Sequence, residues 1–291
     1  MIPRYTLTLA LLAFTASANA ASCDRECLRG FVTQYLNALV AHQPKKLHAA
    51  KNVRVTEDTV QTKLGAGALW KDVSVLSPYR LDFLDTREGV AAAFAIVQES
   101  GMPVMLVLRL KVADGKISEV ETMATHNKAE GAIFKPEALT APSAAMLAKP
   151  SEADRNSRDD LIKIAEHYPE GLKAGSFVKV DAPFADDAYR FENGNLMAGP
   201  GCTFMPGCDH IKTQKVPTLA ALTYRVAAVD EDQGIVLLNM NFGPGSTRTA
   251  GDILMVFEAF KIYGGEIHGV EAFMKNLPEG TKSGWDSAGA R

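Results

Sequence analysis

Tyr79-Arg80-Leu81-Asp82-Phe83-Leu84-Asp85-Thr86-Arg87-Glu88-Gly89-Val90 and Tyr224-Arg225-Val226-Ala227-Ala228-Val229-Asp230-Glu231-Asp232-Gln233-Gly234-Ile235 are two versions of one segment, offset by 224 − 79 = 145 residues. Downstream, Leu110-Lys111-Val112 through Ile117-Ser118-Glu119-Val120-Glu121 returns as Phe260-Lys261-Ile262 through Ile267-His268-Gly269-Val270-Glu271, offset by 261 − 111 = 150. Upstream, Val53-Arg54-Val55-Thr56-Glu57 aligns with Tyr189-Arg190-Phe191-Glu192-Asn193 at an offset of 190 − 54 = 136. Three matches in one order, with slowly growing offsets, describe two copies of one domain with small insertions in the second. A repeat this long is a domain, not a solenoid unit of roughly 20–50 residues.

Each copy opens with an amphipathic helix. Leu28, Phe31, Val32, Tyr35, Leu36 and Leu39 form one apolar stripe. Leu161, Ile164, Ala165 and Tyr168 form the other, with Ser157 and Asp160 as a capping pair and Pro169 with Gly171 as the expected end. Strand-like runs follow at 78–85, 90–99, 103–112 and 117–125, and again at 222–230, 234–242, 253–263 and 266–274. Asp114-Gly115 and Gly264-Gly265 read as tight turns between the last two runs of each copy. The expected organisation is a leader at 1–20, copy one at 21–127, a linker at 128–156, copy two at 157–280 and a tail at 281–291. Helices followed by antiparallel strands make an α+β fold of two tandem domains. In 253–262, Leu254, Val256, Phe260 and Ile262 alternate with Met255, Phe257 and Ala259, so both sheet faces are apolar and both need cover. The helices cover one face and the sister sheet the other, which makes the chain a covalent pseudo-dimer.

With 291 residues, 47% hydrophobic and 22% charged, there is material for two cores. A net charge of −3 and the lack of a basic cluster argue against a nucleic-acid partner. Arg4, the apolar run Leu7 to Ala16 and Ala18-Asn19-Ala20 have the form of a secretory leader cleaved after Ala20. The run is too short for a mature membrane span, and a periplasmic or secreted location follows. Lipidation at Cys23 is the alternative, weakened because Ala20 stands where Leu is usual. Export gives meaning to the even cysteine count. Among three connectivities, proximity favours Cys23–Cys27 and Cys202–Cys208, the first requiring Cys23 to lie outside regular helix. Cys202, Cys208 and His210 as metal ligands are the alternative, without a recognisable fourth ligand.

The terminal hairpin Phe260-Lys261-Ile262…Gly265…Ile267…Val270-Glu271-Ala272, its weaker twin Leu110-Lys111-Val112…Gly115…Ile117…Val120-Glu121-Thr122, and the opening helices together resemble the SnoaL-like, nuclear transport factor 2-like (cystatin-like cone) superfamily. The stretch Cys23-Asp24-Arg25-Glu26-Cys27-Leu28 and the end Leu277-Pro278…Gly280-Thr281-Lys282-Ser283-Gly284-Trp285 resemble its secreted tandem members. The resemblance implies cone-shaped domains, each with N-terminal helices on a curved antiparallel sheet. Their pockets host isomerases, dehydratases, cyclases, lyases and plain binding modules, so the fold alone names no chemistry.

No phosphate loop, nucleophile elbow or zinc-helix motif is present, so polar residues that interrupt apolar strands are the candidates. Glu258 shares a face with Leu254, Val256, Phe260 and Ile262 and is either a base with a raised pKa or the partner of a buried arginine; Leu108 is its counterpart in copy one. Asn239 and Asn241 replace Phe94 and Ile96 and could anchor a substrate oxygen, or simply mark a strand end. His210 beside Asp209 is a second acid–base candidate, against a solvated loop histidine, and His126 a weaker one. Arg54/Arg190, Arg80/Arg225 and Glu121/Glu271 occur twice and read as structural, as an Arg–Glu pair satisfying buried polar groups, with Arg190 and Glu192 a secondary candidate and Arg190 and Tyr189 kept as substrate-binding candidates. The expected function is a cofactor-independent lyase, isomerase or dehydratase for a small apolar or aromatic substrate, with homo-oligomers allowed. The competing class is a non-catalytic binding or interaction module.

Overall fold

The computed structural model describes residues 23–247, 249–282 and 284–285, so the leader expected over 1–20 lies outside the described residues. Copy one runs α1 (Arg25–Val40), β1 (Ala49–Glu57), β2 (Val60–Thr62), α2 (Leu69–Asp72), β3 (Val73–Asp85), β4 (Val90–Glu99), β5 (Met102–Ala113) and β6 (Lys116–Thr125). Two short helices, α3 (Lys128–Gly131) and α4 (Ala144–Leu147), lie in the linker. Copy two runs α5 (Arg158–Ala174), β7 (Phe184–Glu192), β8 (Asn195–Ala198), β9 (Thr223–Asp230), β10 (Ile235–Pro244), β11 (Asp252–Tyr263) and β12 (Glu266–Pro278). The two sheets have the same order, β2-β1-β6-β5-β4-β3 and β8-β7-β12-β11-β10-β9. All eight expected strands are present, and each copy adds a hairpin whose longer strand lies parallel to the last strand of its sheet. The fold is therefore α+β with two tandem six-stranded sheets, antiparallel except for that one pair in each.

Asp24 caps α1 by accepting the Cys27 backbone N–H at 2.8 Å. That leaves Cys23 ahead of the helix, and Cys23–Cys27 closes with a Cα separation of 5.3 Å. Cys202–Cys208 closes as well, and both bonds suit an oxidising compartment. Ser157 caps α5, accepting from Asp160 N at 3.2 Å. Pro169 does not end this helix, contrary to expectation. Proline removes one intrahelical bond, but the helix continues to Ala174 and stops at Gly175, at φ 66°. The extra turn buries Leu172, and Gly171 is small because Phe177 packs on it: a Cβ there would meet the Phe177 ring at 2.3 Å. No helix among the described residues is long and apolar enough to cross a membrane.

On one face of each sheet sits its own long helix. Leu28, Val32, Tyr35 and Leu39 fill copy one's cone, and Leu161, Ala165, Tyr168 and Leu172 enter copy two's. The other faces meet each other, with Phe83, Phe94 and Val107 against Leu237, Phe257 and Phe273. Phe94 and Phe273 stack across the junction with ring centroids 4.4 Å apart and planes 8° from parallel.

A reciprocal ion-pair clamp closes this junction. Arg25, first residue of α1, grips Asp230 of copy two with paired contacts of 2.5 and 2.8 Å. Arg158, first residue of α5, grips Asp85 of copy one at 3.0 and 2.7 Å. Each aspartate ends a strand of its own copy and accepts a backbone N–H from the other, Asp230 from Leu84 and Asp85 from Val229, both at 2.9 Å. Both carboxylates are buried, and each has charge-assisted partners on every side.

Pairing also corrects the repeat alignment. Gly269 lies beside Tyr189 and Glu119 beside Arg54, and 269 − 119 = 150 is the offset of the last strands. Arg54 is therefore equivalent to Tyr189, and Arg190 to Val55. A one-residue slip in a strand exchanges its faces. Arg190 points into the cone, whereas Arg54 points out and lies over the Trp285 ring at 4.2 Å. Arg80 and Arg225 diverge similarly, because a bulge in β9 lets Arg225 face the junction and pair with Glu121, while Arg80 binds Asp82 at 2.6 Å. None of the duplicated arginines pairs with the duplicated glutamate of its own copy. Glu121 is paired across copies, and Glu271 accepts from Tyr189 at 3.1 Å and Tyr79 at 3.4 Å.

Removing one partner of a buried ion pair leaves the other uncompensated. Asp230→Ala is expected to lower stability by about 3 kcal/mol while keeping a single unfolding transition, measured by urea denaturation. Residues 21–140 expressed alone should aggregate or self-dimerise, since the junction face is left bare; a monomeric, cooperatively folded half would refute the pseudo-dimer. Alkylation of the native protein without reduction should label none of the four cysteines.

Candidate functional site

The order of the second sheet puts three residues on one rung. Glu192 of β7 pairs with Ala272 of β12, which pairs with Glu258 of β11. Neighbouring strands are about 4.8 Å apart, so the two glutamates stand roughly 10 Å apart at their Cα atoms with a methyl group between them. Ala272 leaves the space open. Arg190, two residues before Glu192, occupies the same face, and Tyr168 reaches it from α5.

Together these side chains and Gln214 form the polar end of a cavity of about 270 Å³, walled by Leu172, Phe242, Leu254, Val256 and Met274. This is just below the range of drug-sized pockets, roughly 300–1,000 Å³. Gln214 and Met205 belong to residues 199–222, the long segment between β8 and β9 that Cys202–Cys208 staples.

Both terminal nitrogens of Arg190 are engaged. Its Nη1 donates to the Tyr168 hydroxyl at 3.2 Å and its Nη2 to Gln214 Oε1 at 2.8 Å. Its Nε lies 2.9 Å from Glu192 Oε1, close enough for an ion pair though without hydrogen-bond alignment. Burial disfavours the guanidinium, but Tyr168, Glu192 and Glu258 outweigh it, and Arg190 stays charged. Glu258 is only 2% exposed. Burial, then the Glu192 charge, pushes its pKa up to about 8, against the opposing pull of Arg190 and Tyr168. A carboxyl titrating there can donate or accept a proton near neutrality.

Copy one lacks this site. Leu108 replaces Glu258 and Val55 replaces Arg190, both buried in the apolar core. Tyr35, which stands where copy two has Tyr168 (35 − 25 = 168 − 158 along the helices), packs edge-on against Trp70 at 5.4 Å. Trp70 comes from residues 63–72, the shorter counterpart of 199–222, and plugs the cone.

Among the residues singled out from sequence, Glu258, Arg190 and Glu192 meet in the cavity. Asn239 does not; β10 turns it to the junction face beside Phe257, where its amide contacts Met255 Sδ at 3.5 Å. Asn241 accepts from Gly243 N at 2.9 Å and shapes the strand end. His210 is 66% exposed on the stapled segment and 3.8 Å from Asp209. Tyr189 lies on the sheet face opposite the cone, half-buried and hydrogen-bonded to Ser143 of the linker at 2.8 Å and to Glu271 at 3.1 Å. His126 lies between Glu130 at 2.8 Å and Glu99 at 3.3 Å, away from the cavity. Cys202 and Cys208 are joined to each other, so neither is a metal ligand. Two site residues were missed: Tyr168 looked like one more member of an apolar stripe, and Gln214 sits in a segment without periodicity.

Solved structures similar to parts of the chain include a de novo designed protein with a curved β-sheet, 17% identical with a TM-score of 0.31, covering 35% of this chain and 88% of that chain. An NTF2-like protein of unknown function from Cytophaga hutchinsonii is 10% identical with a TM-score of 0.27, covering 35% and 91%. A ketosteroid isomerase candidate from Kribbella flavida is 19% identical with a TM-score of 0.27, covering 47% and 100%. No curated protein matches the chain. Residues 154–274, the part that carries the cavity, match the model of a domain of unknown function, DUF8021.

Proposed function

We propose that copy two is a cofactor-independent acid–base catalyst, of the lyase, isomerase or dehydratase kind, for a small and mostly apolar molecule carrying one oxygen function. The observation that supports this most is Glu258: a carboxyl buried at the end of a cavity, with a pKa near 8 and no arginine bound to it. At neutral pH it is mainly protonated and can donate to a ligand oxygen; once ionised it can withdraw a proton from the adjacent carbon. The apolar walls keep water from competing. Arg190 is already matched by Glu192, so the buried end of the cavity suits an uncharged ligand, with Lys215 the other cation in the lining. The two disulfides support action outside the cytoplasm, in the periplasm or medium. A binding module without turnover is the second reading, supported by the same donors and by the apolar walls of the cavity.

Proton exchange separates these readings. Incubating the protein in D2O with a panel of small cyclic ketones should give deuterium at the carbon next to the carbonyl, followed by NMR. Glu258→Gln keeps the shape and should slow that exchange by about a hundredfold or more. Ligands that bind but exchange no faster than in buffer would favour the module.

Stability provides an independent check. The folded-state pKa of Glu258 is raised, so its neutral form stabilises the fold fully below the unfolded value near 4.5. That contribution declines as pH rises through the folded value near 8. Glu258→Gln, which cannot ionise, should match the wild type at pH 4.5 and exceed its stability by a few kcal/mol at pH 8.5 in urea melts.

A further inference from the structure

We infer that Gln214 is a positioning residue: it holds Arg190 off Glu258 and so leaves that carboxyl without a bound cation at the end of the cavity. The inference deepens the acid–base reading of this same site. A buried arginine beside a buried carboxylate normally pairs with it, because an unpaired buried charge is costly. Here the geometry prevents this. The Arg190 guanidinium is turned to two other acceptors, the Tyr168 hydroxyl and Gln214 Oε1, with Glu192 as its ion-pair partner. Tyr168 and Glu192 lie on the cone's own helix and strand, while Gln214 is brought from outside it by residues 199–222.

Gln214 is itself fixed. It is buried, its Nε2 donates to Met197 O at 2.8 Å, and its backbone N–H donates to His210 O at 3.1 Å. The Met197 bond orients the amide so that its oxygen, and not its nitrogen, meets Arg190. The segment is anchored in turn by Gly199 N–H donating to Cys208 O at 2.7 Å beside the disulfide. Copy one, whose shorter segment has Trp70 in the cone, has Val55 in place of Arg190 and Leu108 in place of Glu258. The long segment of copy two therefore does more than cover the cavity. It supplies the acceptor that keeps cation and carboxyl apart.

The charged and titratable groups around Glu258 are Glu192 and Arg190 from β7 and Tyr168 from α5, and Lys215 of the long segment also lines the cavity. Loss of the Gln214 acceptor frees Arg190 to turn to Glu258 and favours its charged form. The test is a cycle on the full-length protein, following the Glu258 carboxyl carbon by 13C NMR, with its resonance assigned by its loss in Glu258→Gln. Gln214→Met, similar in volume but without an acceptor, should lower the midpoint by one unit or more, a tenfold change in the ionisation constant. Arg190→Met alone should raise it. Gln214→Met added to Arg190→Met should then leave the midpoint where Arg190→Met put it. A shift of similar size in both backgrounds would mean that Gln214 acts by packing or by excluding water, and would overturn the inference, as would no shift in the single variant. Should Arg190→Met not fold, Arg190→Gln completes the cycle. Because the readout is ionisation, a protein without turnover would sink the proposed function and leave this comparison standing.

Discussion

Two buried carboxylates give the contact between the copies its direction. Asp85 and Asp230 each terminate a strand, accept a backbone N–H from the opposite copy, and receive a bidentate arginine from the first residue of the opposite copy's helix. The clamp ties helix start, strand end and sister sheet to one point in each copy. Without it, the apolar faces between the copies could slide, since hydrophobic contact has no direction of its own. The clamp sets where Phe94 meets Phe273, and with it the placement of both sheets on which the cones are built.

On this near-symmetric frame the two interiors have diverged. Copy one is filled by leucine, valine and Trp70, as a core should be. Copy two keeps the tyrosine at the same helix position but surrounds it with Arg190, Glu192, Gln214 and Glu258. Buried charge of this kind costs stability unless satisfied. Most of it is satisfied, and Glu258, which has Tyr168 beside it, is the one carboxyl there without an arginine bound to it. The apolar copy and the clamp supply the stability against which such a buried carboxyl can persist.

Much of this was legible in the chain. The repeat, the two helix stripes, the hairpin turns and the two-sided apolar strands are local patterns, and the observed strands lie within a few residues of those expected. Glu258 stood out because a carboxylate in an apolar face is rare. What sequence could not give was register. Arg54 and Arg190 look equivalent, yet a shift of one residue turns one into the cone and the other out towards Trp285. Asn239 was misplaced by the same gap in knowledge: alternation says that Asn239 and Leu238 face opposite ways, but not which of the faces holds the cavity. Tyr168 and Gln214 depend on contacts between segments far apart in the chain, which leave no periodic trace. Pro169 was read by its intrinsic tendency, and the tertiary packing of Leu172 and Phe177 overrode it.

The covalent link between the copies has a consequence for how such a cavity can arise. In a dimer of identical chains, any substitution appears in both subunits, so a costly buried carboxyl and arginine would be installed twice. Fusion removes that obligation. One half is free to specialise while its partner goes on being a core, and the tether keeps the pair at a high effective concentration however weak the interface becomes. The same freedom makes the halves non-interchangeable: a circular permutant that preserves both should retain the cavity, whereas a chain built from two first halves would fold around two tryptophan plugs.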